Sequence, residues 1–428
     1  MDAGHTGVLI IGAGQAGATA AAALRNFGYK DRIIVAGSEP QQPYERPPLS
    51  KTMLSGKGAV GDFQIHPTGF NEEKSIEIML DAEVASLDVH EHTAQLRSGK
   101  TIAWQNCVIA TGGKARIVSG LMPGTDRIHY LRTLADALRL REEMRQRSSI
   151  LILGGGFLGL EVASTARSIG LSVTILESSG NLLARAIPQE MSSWLRLSIK
   201  AAGVDLRLNT HCESFDVRAD GISISLASGE TLYADMIVVA VGLVPEVAIA
   251  RRSGLSIHSG NGGICIDEHC MTSAPGVYAA GDCSSQTHPF LGFEIRLESW
   301  QNANEQARLA AAEIAGVPTA PLTAPWFWSD QFDYNLQILG VPVAGLQYHH
   351  RGDFSNPDTV PQFMLLGAND SGQILHAIAV NAGGDLRQLK PLIDSKTHCD
   401  PISFCDATAP LRPLVRAALA RTPTLNVS

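Results

Sequence analysis

The chain has 428 residues, a formal net charge of −8, and 45% hydrophobic against 18% charged residues. That length suits two to four domains with well-buried cores, and the acidic balance argues against non-specific binding to nucleic acid or an anionic membrane. No apolar run nears the roughly 18 residues of a membrane span, and a first strand near Val8 leaves no room for a cleaved signal peptide.

Val8 to Glu39 reads as strand, glycine turn, alanine-rich helix, strand and acid. Gly12, Gly14 and Gly17 fill a G-x-G-x-x-G pattern where the first strand meets the helix. In such a turn the first glycine allows the bend, the second admits a pyrophosphate to the backbone, and the third lets helix and strand close. A proline-stiffened loop, Pro43 to Lys51, follows, with Ser50 as the expected cap of a short helix carrying Lys51 in its first turn. A cation there opposes the helix dipole unless it faces a ligand.

Residues 76–104 read as short strands with a turn at Ser98-Gly99, and Cys107 to Ala110 as an apolar strand running into Thr111-Gly112-Gly113. A helix is expected over Leu134 to Arg145, capped by Thr133.

Ser149 to Glu177 then repeats the opening plan 142 residues on, with Gly154, Gly156 and Gly159 in the same pattern. Glu177 ends the second strand, placed to accept from both hydroxyls of an adenosine ribose. A carboxylate there repels the 2′-phosphate of NADPH, so NADH is the expected nicotinamide. Two dinucleotide fingerprints in one chain point to a two-cofactor redox protein.

Beyond it, Pro188 starts a helix that Gly203 stops, and residues near 221–233 suggest a β-meander. Met236 to Val241 leads into Gly242-Leu243-Val244-Pro245, a parallel to Thr111-Gly112 that extends the internal duplication. Ser273 to Cys283 carries a strand into Gly281-Asp282 and an expected helix start, where the aspartate is placed to hold a ribityl hydroxyl. A helix over Ser299 to Ala315 precedes a proline-bearing linker. Trp326-Phe327-Trp328 opens a last region with a hairpin turning at Asn369 to Gly372 and helices near 386–393 and 411–419. The seven cysteines include no C-x-x-C, so neither a disulfide framework nor a metal site is expected, and a cytoplasmic setting is.

The segments GAGQAG, PYERPPLSK, ATGG, YLRTLADA, GGGFLGLE, AAGDC, RLESWQNA and PWFWSDQ together resemble the NADH-dependent ferredoxin reductases of oxygenase systems. That family includes the biphenyl dioxygenase ferredoxin reductase, putidaredoxin reductase and rubredoxin reductase. The resemblance implies an α/β flavoprotein of glutathione-reductase-like architecture: two Rossmann-like domains, for FAD and NAD, and a small α+β C-terminal domain. It places FAD in a discontinuous domain of residues 1–116 and 246–325, NAD in 117–245, and the interface domain in 326–428.

Carried over by motif, Lys51 lies by the flavin ring and Glu161 by the nicotinamide, as the catalytic pair. The FAD contacts implied are Gly12, Gly14, Ala16, Gly17, Glu39, Arg46, Lys51, Val84, Thr111, Gly112, Arg132, Gly281, Asp282, Trp300 and Trp328. The NAD contacts implied are Gly154, Gly156, Phe157, Leu158, Gly159, Glu161, Glu177 and Gly242. Ser38 stands where many relatives carry Asp, which leaves Glu39 as the ribose acid. Glu161 is read in the first turn of its helix, where the dipole favours a carboxylate.

The activity implied is hydride transfer from NADH to FAD and single-electron transfer to a [2Fe-2S] ferredoxin serving a Rieske oxygenase of aromatic hydrocarbon breakdown. A rubredoxin or a cytochrome P450 ferredoxin is the alternative acceptor. An acidic ferredoxin calls for a positive docking patch, for which Arg308, Arg387 and Lys390 are candidates beside Trp328. Two rivals are weaker. A flavin disulfide reductase needs a cysteine pair on an early helix, and no cysteine precedes Cys107. A non-enzymatic NADH-responsive flavin switch, like apoptosis-inducing factor, favours a basic surface and targeting segments.

Overall fold

The computed structural model describes residues 6–353 and 360–421. It divides into two compact units, each assembled from several chain segments. Unit 1 takes the chain up to Arg46, Ala59–Lys114 and Leu243–Thr323, and unit 2 takes Pro47–Gly58, Ala115–Gly242 and the chain from Ala324 onward.

Unit 1 is built, among the described residues, on a seven-stranded sheet. Thr6–Ile11 pairs in parallel with Ile33–Ala36 on one side and with Thr101–Ile109 on the other. Val277–Ala279, from the last segment of the unit, joins Thr101–Ile109 in parallel. Residues 8–11, Ile33–Ala36, Val277–Ala279 and the 107–109 end of the long strand are apolar and buried because both faces are covered there, the usual condition of a parallel sheet. Helix Gln15–Asn26 is buried from Ala16 to Leu24 and packs on helix Trp300–Ala315, which buries Ala303, Ala307 and Ala310 to Ala312. Small side chains bring the two helices close, and Asn304 ties them by accepting from Gln15 Nε2 at 2.9 Å and Thr19 Oγ1 at 2.6 Å.

Unit 2 contains a five-stranded parallel sheet in which Ser149–Leu153 lies between Ser172–Leu176 and Met236–Val239. A meander of Cys212–Val217, Ile222–Leu226 and Thr231–Ala234 forms as the alternating pattern predicts. Thr133 caps helix Leu134–Met144 by accepting from Asp136 N–H at 3.2 Å. The C-terminal part is a five-stranded antiparallel sheet, Trp326–Gln331, Tyr334–Leu339, Ile374–Val380, Phe363–Ala368 and Gln347–Arg351 in spatial order. Helices Gly383–Asp394 and Leu411–Arg421 pack together beside it.

In both units the glycine fingerprint follows the strand whose neighbours run off to opposite sides. That is the carboxyl edge of a topological switch point, where open α/β sheets bind their ligands.

One local expectation is corrected. After Gly281-Asp282 the chain forms strand Ser284–Thr287 rather than a helix, because Ser284 pairs with Ile264 and Gln286 with Ile295. The hairpin expected at Asn369 to Gly372 joins Phe363–Ala368 to Ile374–Val380, and a second one, Trp326–Gln331 with Tyr334–Leu339, turns at Phe332-Asp333 without a glycine. Phe332 takes a left-handed φ of +48°, with its N–H donated to Ser164 Oγ at 2.6 Å.

Candidate functional site

The two cradles are near copies. Gly12 and Gly154 have φ of +112° and +110°, a region that L side chains rarely enter. A methyl group on Gly17 would collide with the Gly12 carbonyl oxygen, and one on Gly159 with that of Gly154. A methyl on Gly14 or Gly156 would meet nothing within 4 Å. The first and third glycines therefore close the turn onto the helix, and the second leaves open space over helix N–H groups that lack intrahelical partners. Such a cradle fits a pyrophosphate, and the fold holds two.

In unit 1 the first cradle is backed by Ala16, which packs 3.3 Å from where a Cβ on Gly281 (φ +85°) would lie. Gln306 Oε1 accepts from Gly281 N–H and Ser284 Oγ, both at 2.8 Å, and holds the Gly281-Asp282 turn against helix Trp300–Ala315. Glu39, past the second strand, accepts from Tyr44 Oη at 2.5 Å and Arg46 Nη2 at 2.8 Å, so its two carboxylate oxygens are already oriented. Trp300 opens its helix and donates Nε1–H to Glu45 at 3.3 Å. Thr111 donates to the Glu246 carbonyl at 2.6 Å, Gly112 takes φ +66°, and Val84 begins a strand in the core of the same unit.

In unit 2, Glu177 accepts from Gly155 N–H at 2.8 Å and Ser179 N–H at 2.7 Å, which pins the carboxylate beside the second cradle. Gly242 (φ +106°) receives the Arg116 N–H at its carbonyl. Helix Phe157–Ser168 begins with Phe157 and Leu158, and Phe157 packs on Phe327 at 4.4 Å between ring centroids. One turn on, Glu161 is only 7% exposed and ion-paired to Lys51 Nζ at 2.8 Å. The same carboxylate accepts from Ser50 Oγ at 2.5 Å and Ser329 Oγ at 2.6 Å.

This geometry corrects two readings. Glu161 is the fifth residue of its helix, beyond the first turn, and its partners are three side chains, Lys51, Ser50 and Ser329, rather than the helix N-terminus. Ser50 ends the 3₁₀ turn Pro47–Ser50 and donates to Glu161 instead of capping a helix.

The matches to known proteins agree with this fold. Residues 6–307 fit the pyridine nucleotide-disulphide oxidoreductase model, and residues 326–415 fit a reductase C-terminal model. The chain belongs to the pyridine nucleotide-disulphide oxidoreductase family. It is 34% identical over 404 residues to the ferredoxin--NAD(+) reductase component of the anthranilate 1,2-dioxygenase system of Burkholderia cepacia, covering 94% of this chain and 98% of that one. A rubredoxin-NAD(+) reductase of Pseudomonas putida is 36% identical over 335 residues, covering 78% of this chain and 86% of that one. The putidaredoxin reductase in a covalent complex with putidaredoxin superposes with a TM-score of 0.90 at 30% identity, covering 97% of this chain and 99% of that one. Family membership carries the chemistry of an FAD- and NADH-dependent oxidoreductase.

Within this reductase fold the remaining candidates are dispersed. Arg132 lies in unit 2 just ahead of the Thr133 cap, its N–H 3.2 Å from Asp136. Trp328 stacks on Trp326 at 5.0 Å on the strand opening the C-terminal sheet. Arg308 is exposed on the Trp300 helix of unit 1, whereas Arg387 and Lys390 sit on helix Gly383–Asp394 of unit 2. Lys390 is ion-paired to Asp394 at 2.8 Å, which offsets much of its charge. All seven cysteines are free. Burial pushes the Cys107, Cys270 and Cys283 thiols up, away from the thiolate that disulfide exchange requires. Among the described residues no helix is long and apolar enough to cross a membrane.

Thr165, Ser329, Gln331, Asn304 and Gln306 were not singled out from sequence, and Ser50 was read only as a cap. The signal for Asn304 and Gln306 was there: amides at alternate positions in an alanine-rich helix, which must satisfy buried polar groups.

Proposed function

We propose that this protein is a cytoplasmic NADH:ferredoxin reductase whose acceptor is a [2Fe-2S] ferredoxin serving a Rieske oxygenase. The single observation that carries the reading is the ion pair of the buried Glu161 with Lys51 beside the second cradle, in a chain whose first cradle is a separate dinucleotide fingerprint. The reductase relatives named above support the choice of acceptor.

When bound, FAD supplies the chemistry that accepts a hydride from NADH and releases electrons singly. Gly12, Gly14 and Gly17 would hold its pyrophosphate, Glu39 with Arg46 its adenosine end, and Gly281-Asp282 with Trp300 its ribityl and ring end. Gly154, Gly156 and Gly159 would hold the NADH pyrophosphate, and Glu177, oriented by two backbone N–H groups, its ribose hydroxyls. Glu161, charged and desolvated, is a positioned acceptor for the nicotinamide carboxamide, and Lys51 balances that charge. Lys51 Nζ also donates to the Pro47 carbonyl at 3.2 Å, so it has a second seat when Glu161 turns to a ligand. Arg308, Arg387, Lys390 and Trp328 are the proposed docking residues for an acidic partner.

The test is to purify the protein, record its visible spectrum, and follow NADH oxidation against a panel of [2Fe-2S] ferredoxins and a rubredoxin. Rapid reduction of ferredoxin is expected. Preference for the rubredoxin would move the protein to the second reading, which the rubredoxin-NAD(+) reductase relative favours. A colourless protein that stays colourless when FAD is offered would refute both.

A further inference from the structure

Strand Trp326–Gln331 alternates, so Phe327, Ser329 and Gln331 share one face and Trp326 and Trp328 the other. The first face lies against helix Phe157–Ser168, with Phe327 on Phe157, Ser329 on Glu161 and the Phe332 N–H on Ser164. Phe157, Glu161 and Ser164 are spaced four and three apart, one stripe of that helix. One of the hydroxyl donors to Glu161 is thus supplied by the C-terminal strand, 168 positions away.

Ser329 is 0% and Gln331 1% exposed, so no solvent competes for their bonds. Gln331 Nε2 donates to Ser329 Oγ at 2.9 Å. A serine hydroxyl has one proton. With Gln331 donating into its oxygen, that proton is directed to Glu161 Oε1, 2.6 Å away. Gln331 thereby leaves the Ser329 proton to the carboxylate, which can only accept. Ser50 serves the other oxygen, and Thr165 Oγ1 secures the Ser50 carbonyl at 2.7 Å. The carboxylate is held on one oxygen by the loop that carries Lys51 and on the other by Lys51 itself and the C-terminal strand.

We propose that Ser329 and Gln331 are positioning residues for hydride transfer: they orient the Glu161 carboxylate for the nicotinamide through the chain Gln331 Nε2 to Ser329 Oγ to Glu161 Oε1. This rests on Glu161 acting at the nicotinamide. It assigns the Ser-x-Gln after the tryptophans a role in the first half-reaction, apart from any role of the neighbouring Trp328 in partner docking.

The experiment uses the flavin-loaded protein and two readouts: single-turnover flavin reduction by NADH, and calorimetric affinity of the oxidised protein for NAD⁺. Ser329→Ala is expected to slow reduction about 10-fold, the order for loss of one hydrogen bond to a charged group. It should also weaken NAD⁺ binding, while flavin content and dithionite reduction stay normal. Ser329→Thr, which keeps a hydroxyl, should recover most of the rate. Gln331→Glu is the sharper variant, since it keeps the size but offers an acceptor that competes for the Ser329 proton. It should be slower than Gln331→Ala. Asp330→Asn, on the opposite strand face, serves as the control that leaves both readouts unchanged. If Ser329→Ala reduces as fast as the wild type, or if Ser329→Thr is no better than Ser329→Ala, the proposal falls. Glu161→Gln separates the two layers: a slow Glu161→Gln with a normal Ser329→Ala overturns only the relay, whereas normal rates in both overturn the reading of Glu161 as well.

Discussion

The middle and last glycines of each fingerprint make opposite demands, and alanine substitution separates them. Gly156 has φ −80° and ψ 177°, which alanine adopts freely, and its added methyl would touch nothing within 4 Å. The cost to the fold is then only that of a poorer helix cap, about 0.5 kcal/mol. The methyl does occupy the space through which a pyrophosphate reaches the helix N–H groups. Losing one charge-assisted hydrogen bond there costs about 1.5–3 kcal/mol, or roughly 10- to 100-fold in affinity.

At Gly159 the methyl would overlap the Gly154 carbonyl oxygen while sitting 3.3 Å from both the Gly154 carbonyl carbon and Ile152 Cγ2. Backbone on one side and a buried strand on the other leave no direction for relief. Overpacking of this kind costs about 1–3 kcal/mol or more. In a body of about 150–250 residues each kcal/mol moves the Tm by about 2–4 °C, so Gly159→Ala should lower it by roughly 2–12 °C. Gly14 and Gly17 repeat the contrast in unit 1, where a Cβ on Gly17 would also crowd Ile10 Cγ2 at 3.3 Å.

The assays are scanning calorimetry, bound-flavin absorbance and NAD⁺ titration. Gly14→Ala should fold and lose flavin, and Gly156→Ala should stay yellow and lose nicotinamide affinity. A Gly156→Ala protein that loses flavin but binds NAD⁺ normally would reverse the assignment of the cradles. A Gly159→Ala protein as stable as the wild type would refute the contact argument itself.

Three further outcomes are expected. Glu177→Ala should narrow the preference for NADH over NADPH by about 10-fold, because a carboxylate near the 2′-position repels its phosphate by roughly 1–2 kcal/mol at an intermediate dielectric; equal kcat/KM ratios for variant and wild type would remove Glu177 from cofactor choice. His376 is fully buried and accepts or donates only to Tyr348 Oη among the described residues, at 2.8 Å, and burial pulls its pKa down to about 3. The unfolded imidazole protonates near its ordinary 6.5, so the unfolded state binds the extra proton between pH 6.5 and 3 and the fold loses stability as pH falls through that window. His376→Gln should therefore show a shallower loss of Tm between pH 7 and 5 than the wild type; parallel curves would contradict the assignment. Arg308→Glu should slow ferredoxin reduction severalfold at low salt and converge with the wild type at high salt, where exposed charges are screened; no change at low salt would exclude Arg308 from docking.

What the sequence by itself determined was local. Both glycine turns, their flanking strands and the acids that follow were legible because the demands of a βαβ turn are met within about thirty residues. The Thr133 cap and the meander were legible for the same reason.

Tertiary structure decided the rest. Ser50 looked like a helix cap, since a serine before a short helix usually is one, yet a buried carboxylate 111 positions away is the stronger acceptor. Ser284–Thr287 became a strand because Ile264 and Ile295 offered partners that no local propensity reveals. The clearest case is Glu161. Its helix, its ion-pair partner and its third donor come from three distant segments, and nothing in any one of them specifies the other two. Burial forces the arrangement: a carboxylate removed from water must gather every donor within reach, and only the folded chain determines which ones those are.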